Sequence, residues 1–220
     1  MHYTPSYHTV CSHCKERQHE VPQILDVLDL AYCALDRTEV MDGTLNLLVC
    51  EYCGRSFRYE TTVLAVDAKK RYAILVEPRH KGRSLALGAN QFLHTIGAEG
   101  FQFRLVNYCV QMMEKARIFD AGLDDRVIEL IKHLHWATHP LPDEDSYILF
   151  HKQYGDRLKF RVVDEHDTPV EYLWSNIAEY NRIAALPQNT LPTSGRNILW
   201  HMIDQTWAQT HCPQYKEETQ

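Results

Sequence analysis

The clearest pattern along the chain is a pair of apolar, β-branched runs. Thr61 to Val66 and Arg71 to Val76 flank Asp67-Ala68-Lys69-Lys70, whose composition suits a turn. Strand propensity on both sides of a turn predicts a β-hairpin. Upstream, Leu30 to Met41 reads as a short helix. Asp42-Gly43 turns it into a strand over Thr44 to Val49 that leads directly into Cys50. Downstream of Pro78, Gly82, Gly88, Gly97 and Gly100 punctuate a connector, with a short helix around Ser84 to Thr95.

Helical spacing takes over next. Leu105, Cys109, Met112, Met113 and Ala116 recur on one face, and so do Leu123, Val127, Leu130, Ile131 and Leu134. Gly122 separates the two helices and suits a left-handed helix end. Asp124 and Asp125 fall at the start of the second helix and Lys132, His133 and His135 near its end, as the helix dipole favours. Two prolines and three acids in His139 to Asp145 end it. Tyr147 to Gln153 and Leu158 to Val163 then form a second hairpin candidate around Gly155-Asp156. Helices are expected over Ser175 to Leu186 and Ser194 to Gln209, followed by a polar tail from Pro213.

The expected fold class is therefore α+β. A β-rich, zinc-ribbon-like module occupies residues 1–80, a connector and helical hairpin 81–139, and an α+β segment 140–220. With 45% hydrophobic and 24% charged residues, a chain of 220 residues buries its core without disulfides. Its net charge of -6 disfavours coating a polyanion, so a nucleic-acid role would need a local basic patch. No apolar run is long enough to span a membrane. The N-terminus has neither the basic nor the apolar region of a signal peptide. A cytoplasmic location is therefore expected.

In a reducing compartment paired cysteines favour metal over disulfide. Cys11-Ser12-His13-Cys14 and Cys50-Glu51-Tyr52-Cys53-Gly54 are two Cys-x-x-Cys knuckles. Such a turn aims two sulfurs at one point, and two facing knuckles supply the tetrahedron that zinc prefers. Cys11, Cys14, Cys50 and Cys53 are therefore the candidate ligands of one Zn2+. Gly54 supplies a residue suited to positive φ after the second knuckle, where the first has Lys15. The long gap between the knuckles costs little, since loop closure grows slowly with length. Two redox dithiols, or zinc released on oxidation, remain as alternatives.

These blocks resemble the CpXC family of mainly bacterial proteins, over about residues 8–135. The likeness rests on Val10-Cys11-Ser12-His13-Cys14, on Asp42-Gly43-Thr44-Leu45-Asn46, on Cys50 to Gly54 and on the strand ending in Glu77-Pro78. It extends through Glu114 to Phe119 and Gly122 to Glu129. Ser12 and Glu51 stand where the family has proline, which rigidifies the turn without ligating. The resemblance implies the same four cysteine ligands and hands over no reaction.

Other candidates compete with plainer readings. His135 and His139 are spaced to share a helix face, but without a metalloprotease glutamate they fit a solvated helix end. His13 is expected to project outward. Cys33 lies between the knuckles and could replace one of the four ligands, Cys109 is a small core residue and Cys212 an exposed thiol near the tail. Arg79, Lys81 and Arg83 form the densest basic run, a nucleic-acid contact if Tyr72 or Phe57 stacks on bases and otherwise a solvated loop. No phosphate loop, dinucleotide motif or nucleophile elbow is present. An enzyme is thus disfavoured. The expectation is a zinc-binding protein that acts through contacts with another protein, with a nucleic-acid-binding zinc ribbon or a redox-responsive thiol switch as alternatives. Late aromatics such as Tyr172, Trp174, Tyr180, Trp200 and Trp207 are expected in the core, an exposed subset marking a partner surface.

Overall fold

A computed structural model describes residues 6–22, 26–78, 86–186 and 198–212. The chain is α+β, and it divides into two compact units, Met1–Ala116 with Ser194–His201 and Arg117–Thr193 with Met202–Gln220.

The first unit contains two small hairpins and one larger sheet. Strands β1 (Ser6–Val10) and β2 (Arg17–Pro22) pair antiparallel, as do β4 (Leu47–Val49) and β5 (Ser56–Arg58). The sheet has the order β3-β6-β7-β8, from β3 (Asp26–Asp29), β6 (Val63–Asp67), β7 (Tyr72–Val76) and β8 (Gln102–Val106). The expected hairpin is β6 and β7, with Val63 opposite Val76 and Asp67 opposite Tyr72. Its turn closes because the Asp67 carboxylate accepts from the backbone N–H of Lys69 and Lys70, at 3.0 and 2.9 Å. All residues of β6 and β7 are buried. That explains their unbroken apolar runs, since a strand covered on both faces need not alternate.

β3 and β8 join this hairpin in parallel, one on each side. The sequence pattern places Leu105 at the start of a helix, yet it lies in β8, and helix α3 (Cys109–Asp120) begins only after Asn107 and Tyr108. α1 (Ala34–Asp42) ends at Gly43, whose φ of 80° makes it a left-handed cap. α2 (Ala86–Thr95) contributes Ala89 and Leu93 to a core with Leu64, Leu75 and Phe103. Ile198 and Trp200 pack on that core, and His201 bridges to Arg104 beside β8. The expected helix over Ser194 to Gln209 is therefore replaced in its described part by an extended stretch, with α6 (Gln205–His211) starting only at the Asp204 cap.

In the second unit β9 (Tyr147–Tyr154), β10 (Arg157–Val163) and β11 (Pro169–Asn176) form an antiparallel sheet with β10 central. Gly155 turns the β9–β10 hairpin at φ 58°. α4 (Asp125–Thr138), α5 (Ile177–Ala184) and α6 cover one face. Phe150 and Phe160 are fully buried there, each contributing about 1.5–3 kcal/mol by the usual scale of apolar burial. The Asp124 side chain accepts from Arg126 N–H and so caps α4, and Asn176 caps α5 in the same way through Glu179 N–H. Among the described residues no helix is long and apolar enough to cross a membrane.

Candidate metal centre

Each knuckle is the turn of one small hairpin. Cys11 follows the last residue of β1, and Cys50 follows the last residue of β4. The two turns close alike. The carbonyl of Cys11 accepts from Lys15 N–H at 3.0 Å, and that of Cys50 from Gly54 N–H at 2.9 Å. Cys11 N–H donates to Glu16 and Cys50 N–H to Arg55, at 3.0 and 2.9 Å. Both turns need a left-handed residue after the second cysteine: Gly54 has φ 69° and Lys15 has φ 64°. Lysine holds this position at a steric cost that glycine avoids. The Lys15 ammonium donates to the Ser12 carbonyl across the turn.

The second hairpin is aimed by the segment just before it. Gly43 reverses the chain after α1, Leu45 is buried, and Asn46 takes a left-handed φ of 56°. Arg58 of β5 donates to the Gly43 and Leu45 carbonyls and ties the reversal to the hairpin. Phe57 lies under both knuckles and packs with Cys11 and Cys50 in a small core.

The four sulfurs converge, all lying within 4.8 Å of one another. Cys11 and Cys53 Sγ are 3.8 Å apart, and Cys14 and Cys50 Sγ 3.6 Å. A tetrahedron with metal–sulfur bonds of about 2.3 Å has edges of about 3.8 Å, so the spacing fits one four-coordinate ion. A disulfide needs about 2.05 Å, and all four thiols are free. Burial opposes ionisation of Cys50, but N–H donors from Cys53 and Tyr52, with the Cys14 and Cys53 thiols, outweigh it and bring Cys50 down to about 6. At Cys14 a backbone hydrogen bond at Glu16 favours the thiolate, yet burial and the other three thiols together push it up to about 12. A cluster that ionises one sulfur readily and resists a second negative charge beside it is set up to be completed by a cation.

The remaining sequence candidates lie elsewhere. His13 donates from Nε2 to the Ser56 carbonyl at 3.0 Å, linking the knuckles without joining the sulfurs. Cys33 is the N-cap residue of α1 and is not in the cluster. Cys109 is buried, as expected; Asn46 donates to its sulfur, and burial, then the Glu60 carboxylate, raise its pKa. Cys212 is half-buried rather than exposed, and burial raises its pKa too. His135 hydrogen-bonds Ser175 Oγ through Nε2 at 2.9 Å and packs on Phe160. The His135 and His139 rings sit edge to face at 6.3 Å, and among the described residues only the four cysteines form a metal-holding group. Arg79, Lys81 and Arg83 lie outside the described residues. Tyr72 and Phe57 are buried, so neither is available to stack on a base beside them.

Residues 9–132 match the family model described as CpXC protein. The chain belongs to the CpXC family. No curated protein and no solved structure matches it. The CpXC match takes in both knuckles, all of α3 and most of α4. Ser12 and Glu51 follow the first cysteine of their knuckles, and both turns close. Gly43 to Asn46, within the matched residues, is the chain reversal that aims the second knuckle.

Proposed function

We propose that this CpXC protein is a zinc-stapled binding protein: Cys11, Cys14, Cys50 and Cys53 hold one Zn2+ that joins the two hairpins, and the protein works through contacts with another protein. The observation that carries this reading is the convergence of four sulfurs at tetrahedral spacing. Soft thiolates in a tetrahedron select zinc or iron among common metals. Four protein ligands leave no position for a water or substrate, so the ion serves the fold and not a reaction. Val10, Val49 and Tyr52 flank the knuckles and are 48%, 67% and 67% exposed, which supplies an apolar surface for a partner. Under this reading the working compartment is the reducing cytoplasm.

Metal analysis of protein purified without added zinc should find about one zinc per chain. A metal-free yet fully folded preparation would overturn the reading, and bound iron would overturn the choice of metal. A photo-crosslinker at Tyr52 should capture one defined partner that a crosslinker at Glu165 does not. Equal labelling from both sites would remove the support for a contact surface at the knuckles.

A second reading rests on Cys53, which is exposed although its sulfur lies 3.8 Å from that of Cys11. Oxidation by a peroxide could join these sulfurs with little movement and release the ion, making the centre a redox-responsive switch. Zinc retained through peroxide treatment that oxidises Cys53 would exclude it.

A further inference from the structure

The second unit has an unusual sheet surface. α4, α5 and α6 cover one face of β9–β10–β11. On the other face Leu149 is buried at one end, and the end that carries Tyr154, Tyr172 and Trp174 is exposed. Directly opposed residues on antiparallel strands share a face. Arg157 is opposite Tyr154, Lys159 is opposite Lys152 and Trp174, and Arg161 is opposite Tyr172. Leu149 and Asn176 complete these opposed positions, so the exposed end of the face carries rings and cations side by side, and none of the opposed positions is acidic. Tyr154, Tyr172 and Trp174 are 47%, 47% and 39% exposed. Tyr154 and Trp174 have ring centroids 6.0 Å apart. Lys159 Nζ lies 3.6 Å from the Tyr172 centroid, and Arg157 Cζ lies 4.2 Å from that of Trp174.

The charge on this face runs against the chain as a whole, whose net charge is -6. Among the described residues no ion pair neutralises its lysines and arginines. His151 stands beside Tyr172, their rings 6.2 Å apart. Burial first, and then the nearby cations Arg161, Lys159, Arg117 and Lys152, hold its pKa below the ordinary value.

An acidic protein would answer the cations and leave the rings in water. An apolar protein surface would answer the rings and strand the charges. A duplex offers phosphates but hides the faces of its bases. A single strand presents an anion and a free π-face at every nucleotide, which is the repeat this surface mirrors. We propose that the outward face of β9–β10–β11 binds single-stranded nucleic acid. Tyr154, Tyr172 and Trp174 stack on bases, while the neighbouring lysines and arginines meet phosphates. The three strands lie beyond residue 132, so the inference is independent of the CpXC match and of the metal.

The test uses the full chain, loaded with zinc, and fluorescein-labelled oligo(dT) and oligo(U) of about 12 nucleotides. DNA and RNA share the recognised chemistry, and the two probes tell them apart. Anisotropy should rise with at least one probe at about 20 mM salt, with a log–log salt slope of roughly -2 to -3 for up to four phosphate contacts. Trp174→Ala should weaken binding about tenfold at an unchanged salt slope, and Trp174→Phe should restore most of it. Lys159→Gln should shrink the slope by about 0.7. Arg79→Gln/Lys81→Gln/Arg83→Gln should bind like the parent, which separates this face from the connector. Circular dichroism of each variant confirms that the sheet persists. The proposal is overturned by no binding of either probe at low salt, by full affinity in folded Trp174→Ala, or by polyglutamate competing as well as the oligonucleotide at equal charge.

Discussion

Lys15 and Gly54 occupy the same place in the two knuckles, with φ of 64° and 69° and the same hydrogen bond closing each turn. A paired substitution therefore isolates what that backbone conformation costs. Gly54→Ala adds a Cβ that meets nothing within 4 Å, so no steric contact enters. What remains is left-handed strain of about 1.5 kcal/mol, offset by about 0.7 kcal/mol because alanine leaves the unfolded chain less free. The net loss is about 0.8 kcal/mol, or about fourfold in the metal affinity of a site whose binding is coupled to folding. Lys15→Gly reverses the sign. It releases comparable strain but gives up the ammonium bond to the Ser12 carbonyl, so the gain is nearer twofold. Competition for zinc against a chromophoric chelator reads both variants on one scale. The reasoning fails if Gly54→Ala binds as tightly as the parent, or if Lys15→Gly binds more weakly.

Cys50→Ser should open the first unit before the second, because Cys50 belongs both to the sulfur cluster and to the small core with Phe57. Limited proteolysis should cut first between residues 10 and 58, and an unchanged cleavage pattern would contradict the stapling role. Asp124→Ala should cost the second unit about 1 kcal/mol from the lost cap, seen as a lower urea midpoint with an unchanged slope, and an unshifted midpoint would refute it. Acid should also weaken the second unit. Burial lowers the pKa of His135, with His139 adding to this against an opposing Glu179, and burial and nearby cations lower that of His151. The unfolded chain then binds more protons than the folded one, so stability is full above about pH 6.5 and falls as pH drops toward the lower folded values. His135→Gln/His151→Gln should flatten the urea midpoint between about pH 7.5 and pH 5.5, and an equally steep loss in that variant would dismiss the explanation.

Some of this protein was determined by sequence because the responsible interactions are local. Knuckle spacing names the four cysteines, since a Cys-x-x-Cys turn brings its own sulfurs together whatever surrounds it. The β6–β7 and β9–β10 hairpins carry their turns with them, and Gly122 and Asp124 mark the break between α3 and α4. Other features depended on partners remote in the chain. Leu105 continues a helical spacing, yet β8 forms because β7 offers it an edge to pair with in parallel. Ile198 to His201 were legible as helix and became an extended stretch for the same reason, paired beside β8 and packed on Phe103. β3 has only four residues and β11 is exposed over most of its length, so neither shows a clear apolar alternation until a neighbour fixes its register. The same holds for the late aromatics. Composition treats them alike, but Trp200 packs against Phe103 while Tyr172 and Trp174 stand outward among cations. Alternation says that two faces exist, and only the helices that settle on one of them decide which residues are left to meet a ligand.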